Sequence, residues 1–116
     1  MSSKYYELRC AVVEMFYETQ MEEGYTVGQA ASRCLVEFRR EALGGRQEGL
    51  TVLSVLLSRV ARHEPEALAN FGAEIAALKG LGKKFGCWRG LDSGEKERMR
   101  EDVMFALEKA EQVGGG

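Results

Sequence analysis

Histidine, proline and tryptophan each occur once in this chain, at His63, Pro65 and Trp88. A lone histidine excludes the paired Glu-x-x-His ligands of di-iron bundles and the HExxH zinc site, which need at least two. A Ser-His-Asp arrangement would have to use His63, and no G-x-S-x-G is present to hold a nucleophile. His63 follows a helical stretch and is read as a helix-terminal or solvent-exposed residue. The three cysteines, Cys10, Cys34 and Cys87, form neither a CxxC pair nor metal-finger spacing. Cys10 and Cys34 have apolar neighbours and are expected to be buried free thiols. That usage suits a reducing compartment. The opening MSSKYYELR has no apolar h-region, so a cytoplasmic location is expected. No apolar run approaches the roughly 20 residues of a membrane span. No cofactor, no metal and no membrane partner are therefore expected, and nothing pairs a nucleophile with a base as an enzyme would.

Strong net charge is also missing: the balance is −2, whereas a dedicated nucleic-acid binder shows a net basic one. The charge is nevertheless polarised along the chain. Residues 79–100 carry a net +4 and residues 1–25 a net −3.

With 116 residues, 45% apolar and 29% charged, the chain suits one soluble globular domain, expected over 1–113 with a glycine tail at 114–116. Its densest apolar run is Leu50–Ala61, LTVLSVLLSRVA. Leu50, Leu53, Leu56, Leu57 and Val60 recur at helical spacing, and Val52, Val55 and Ala61 add apolar atoms on other faces. A helix apolar nearly all round is a buried one. A strand is the rival reading for Thr, Val and Leu, but the pattern runs past strand length.

The other elements follow from periodicity and punctuation. Residues 4–22 place Tyr5, Leu8, Val12, Met15, Phe16 and Thr19 on one stripe, with Gly24 as terminator. Tyr6, Val13 and Tyr17 widen that face, as cover for the core edge or as a surface for a partner. Thr26 and Gln29 have capping-box spacing and open a helix over about 26–43, stopped by Gly44 and Gly45. Its core stripe is Val27, Ala30, Ala31, Cys34, Leu35, Phe38 and Ala42. Pro65 suits the first position of a helix over about 65–80, with Leu68, Phe71, Gly72, Ile75 and Leu78 on its inner face. Asp92 and Glu95 have capping-box spacing, with Ser93 an equal candidate cap, for a last helix to about Gln112. The fold class is all-α: about five helices in antiparallel hairpins around a buried central helix at about 47–62.

Two functional readings come from different classes. The first is a small non-enzymatic protein-interaction module, of regulatory, adaptor or immunity type. Its aromatic and charged surface would comprise Trp88 and Arg89 as anchor with Tyr5, Tyr6 and Tyr17, because Tyr, Trp and Arg dominate interface hot spots. A protein partner is expected, and a homo-oligomer is a possibility. The alternative is nucleic-acid or phosphate-ligand binding by the basic glycine-rich stretch 79–90 through Lys79, Lys83, Lys84 and Arg89. That stretch lacks the P-loop and dinucleotide patterns, and it also reads as a structural loop in which Phe85 and Trp88 plug the core. Glu14, Glu18 and Glu22 align at i, i+4, i+8 and are read as a solvated face.

Overall fold

A computed structural model describes residues 4–44, 47–82 and 92–114. The elements in order are α1 (Lys4–Glu23), α2 (Val27–Glu37), α3 (Arg39–Leu43), α4 (Gln47–His63), a 3₁₀ helix (Pro65–Phe71), α5 (Gly72–Gly82) and α6 (Ser93–Gly114). No strand occurs among the described residues. The fold is all-α. The radius of gyration, 13.3 Å, is close to the roughly 13 Å of a folded chain of about 100 residues.

Helix α4 is the centre. Every side chain from Leu50 to Leu57 is buried, and α4 touches α1, α2, α3, the 3₁₀ helix, α5 and α6. Thr51, Ser54 and Ser58 interrupt its apolar sequence without interrupting its burial. Thr51 Oγ1 donates to Gln47 O at 2.9 Å, Ser54 Oγ to Thr51 O at 3.2 Å and Ser58 Oγ to Val55 O at 3.0 Å. Each hydroxyl is thus satisfied by its own helix, the condition for burying it cheaply.

Punctuation acts where the sequence places it. Gly24 adopts φ +68°, a conformation that suits glycine, and its N–H closes α1 on Gln20 O at 3.0 Å. Thr26 and Gln29 form a reciprocal capping box. At α6 the cap is Asp92: Glu95 N donates to Asp92 Oδ1 at 2.8 Å and Asp92 N to Glu95 Oε1 at 3.3 Å. The other glycine with a defined task is Gly28, whose N–H donates to Glu64 Oε1 at 2.9 Å. A methyl group on Gly28 would lie 2.6 Å from that oxygen and 3.0 Å from Ala67 Cβ, so a glycine lets the start of α2 meet the corner after α4.

Several expectations are corrected. The helix expected over 26–43 breaks at Phe38, which has φ −103° and ψ 30° and separates α2 from α3. No glycine or proline marks the break; Phe38 packs partly into the core, and Ala42 beyond it is buried. The helix expected over 65–80 begins as 3₁₀ and ends later, at Gly82. Pro65, Leu68 and Phe71 are spaced by three, the period that stacks side chains on one face of a 3₁₀ helix, and Leu68 and Phe71 are buried. Gly72, expected on the inner face, is exposed. Helix α6 includes Gly114, which the sequence reading assigned to the tail.

Candidate functional site

Helix α1 carries two apolar faces. Tyr5, Val12, Phe16 and Thr19 are buried against the core, as their spacing requires. A second line, Tyr6, Cys10, Val13, Tyr17 and Met21, recurs at i, i+4, i+7, i+11 and i+15, which is also one helical face. Tyr6 is 53% exposed, Tyr17 50% and Met21 83%; Cys10 is exposed and Val13 half-buried. Beside this line run Glu14 and Glu18, both exposed. A single helix that buries one stripe and exposes a second has apolar surface in excess of what its own fold uses.

Tyr17 is held from below. Its ring meets Phe16 edge-on at 5.5 Å, and the Arg59 guanidinium of α4 lies 5.8 Å from its centroid and 6.0 Å from that of Phe16. Such contacts fix an exposed ring in one orientation, which lowers the entropy lost when something docks on it. Deeper between α1 and α6, Arg9 Nη1 donates to Asp102 Oδ2 at 2.9 Å and to Tyr5 Oη at 3.2 Å. Burial opposes the Arg9 charge, but these oxygens outweigh it and hold its pKa above the ordinary value. Burial also raises the Tyr5 pKa, against the lowering effect of Arg9.

The structure redistributes the residues expected to bind a partner. Tyr5 is only 4% exposed and is a core residue, so its ring is not on the surface. Tyr6 and Tyr17 share the exposed face of α1. Trp88 and Arg89 lie outside the described residues, as do Lys83 and Lys84 of the alternative reading and Cys87. Lys79 is exposed in the last turn of α5. Glu14, Glu18 and Glu22 are exposed, and among the described residues no group of acidic, cysteine or histidine side chains converges as metal ligands would. The sequence reading missed Cys10 and Met21 as members of the second face, although the helical period from Tyr6 and Tyr17 passes through both.

The two described cysteines differ. Cys34 is fully buried, but Cys10 is exposed, which corrects the expectation for it: position 10 falls well away from the Tyr5, Val12 and Phe16 stripe. Burial, with Glu37 adding to it, pushes the Cys34 thiol up from 9.0 to about 11. The protonated thiol therefore contributes stability that is complete below the unfolded pKa and is lost as pH rises through the folded one. The urea midpoint is expected to fall between about pH 9 and 11, and Cys34→Ala to reduce that fall. In the folded protein at neutral pH, iodoacetamide should modify Cys10 and spare Cys34, as read by peptide mass mapping.

A second apolar feature is a groove of about 350 Å³ lined by α2, α3, α4, the 3₁₀ helix and α5, the exposed Val36 and Leu43 among its residues. No described helix is long and apolar enough to cross a membrane. Comparison with protein-family models, with curated proteins and with solved structures gave no match to this chain.

Proposed function

We propose that the protein is a small non-enzymatic interaction module that docks an amphipathic helix of a partner protein along α1. The observation that carries this reading is the second apolar face of α1, Tyr6, Cys10, Val13, Tyr17 and Met21, with the Tyr17 ring braced by Phe16 and Arg59. The spacing suits side-by-side packing with a partner helix, whose apolar side chains would meet these residues on successive turns. Glu14 and Glu18 border the face, so the complementary helix carries Lys or Arg on the matching flank. A second copy docked antiparallel would set these glutamates against the same residues, which favours a different chain as occupant.

The test is the double variant Tyr6→Lys/Met21→Lys. Both positions are exposed, so its thermal midpoint should stay near that of the wild type. Affinity capture from native lysate, with nuclease treatment, should yield a protein partner with the wild type and lose it with the variant. Capture that survives the substitution would refute the reading. Light scattering of both proteins at matched concentration shows whether a second copy is the occupant instead.

A further inference from the structure

Between α1, the C-terminal half of α4 and α6 lies a polar cleft of about 140 Å³. Three arginines line it, Arg9, Arg59 and Arg62, together with His63, Tyr17 and one carboxylate, Asp102. Asp102 is engaged by Arg9 at 2.9 Å. Among the described residues neither Arg59 nor Arg62 is in an ion pair, so the cleft holds two cations without a counter-charge. Both guanidiniums are instead positioned by aromatic rings: Arg59 over Phe16 and Tyr17, and Arg62 over Phe105 at 5.3 Å. A ring face attracts the cation but leaves the N–H edge of the fork in need of acceptors. Arg59 shows that need directly. Among the described residues its Nη1 reaches only Val55 O, at 3.5 Å, and its Nε is buried with no hydrogen-bond partner.

We propose that this cleft binds a phosphate group, as the free ion or as the phosphate of a small monoester. A phosphate carries about −1.5 to −2 at neutral pH and presents several acceptor oxygens, which matches two uncompensated guanidiniums. Arginine forks are suited to it because two parallel N–H bonds meet two oxygens. One water needs roughly 10–15 Å³ of such space, so a cleft of about 140 Å³ has room for a small tetrahedral oxyanion. The last turn of α4 flanks the cleft, and its carbonyls disfavour an anion. Arg62 sits in that turn and supplies a positive charge against them.

The experiment is calorimetric titration of the full chain with inorganic phosphate at fixed ionic strength. Saturable 1:1 binding is expected. Arg62 is exposed, so Arg62→Gln should fold as the wild type does while weakening binding about tenfold or more, the loss of one charged hydrogen-bonding group. Arg59→Lys retains a cation for the rings but lacks the fork, and should weaken binding as well. No saturable binding, or binding unchanged in both variants, overturns the proposal. Titration with a simple alkyl phosphate decides the source: tighter binding than inorganic phosphate identifies an ester, and equal or weaker binding the free ion. Tyr6→Lys/Met21→Lys should bind phosphate like the wild type, so failure of the partner face and failure of this cleft are read separately.

Discussion

Leu56→Asp is expected to abolish the cooperative unfolding transition. Leu56 is fully buried in the middle of α4, the helix that every other element touches. The substitution removes an apolar burial worth roughly 1.5–3 kcal/mol and puts a carboxylate in the hydrophobic core, away from water. The penalty for an unpaired buried charge is several kcal/mol more. Against a total stability of about 5–15 kcal/mol for a domain, the sum leaves little or no folded population. Leu43→Asp is the control: the chemistry is the same, but Leu43 is 69% exposed and should tolerate it. Circular dichroism with thermal melting reads both. A sharp transition retained by Leu56→Asp would mean that α4 is not the centre of the core.

The second large effect is expected at Asp102. The Asp102 and Arg9 side chains are 13% and 15% exposed, and among the described residues Arg9 has only Tyr5 Oη as its other side-chain acceptor. Asp102→Ala leaves the arginine charge in a mostly buried site without its counter-ion, a loss of about 2–4 kcal/mol. Asp102→Asn keeps an acceptor and should cost about half as much. Arg9→Met/Asp102→Leu removes both charges and should recover much of the loss, because the penalty comes from the orphaned partner more than from the missing attraction. Urea denaturation gives these differences as midpoint shifts at constant slope. A single Asp102→Ala variant as stable as the wild type would show that the pair contributes nothing to joining α1 and α6.

What the sequence makes legible here is local. The apolar run of α4, the Thr26 and Asp92 capping boxes and the Gly24 terminator each depend on residues within a few positions of one another, and each is where its pattern puts it. Asp92 settled a choice that spacing alone left open with Ser93. The break at Phe38 carries no glycine or proline as a mark, and it falls where Phe38 packs against the core and Ala42 beyond it is buried. Cys10 has apolar neighbours in sequence, but its angular position on α1 leaves it exposed. The Arg9–Asp102 pair joins positions 93 apart, and the arginine cleft is assembled from three helices. Neither has a spacing from which it could be read. Tyr5 and Tyr6 make the same point from adjacent positions: one is in the core and the other half-exposed, since neighbours on a helix are about 100° apart.

The most direct measurement places a photo-crosslinking residue at Tyr6 and, as the control, at Glu108 on the exposed surface of α6. Each protein is irradiated in native lysate and the crosslinked peptides are sequenced. One dominant adduct is expected from position 6, absent from position 108, whose peptide is an amphipathic helix rich in Lys or Arg. No adduct at position 6, or the same adducts at both positions, would contradict the claim that the outer face of α1 is where this protein meets its partner.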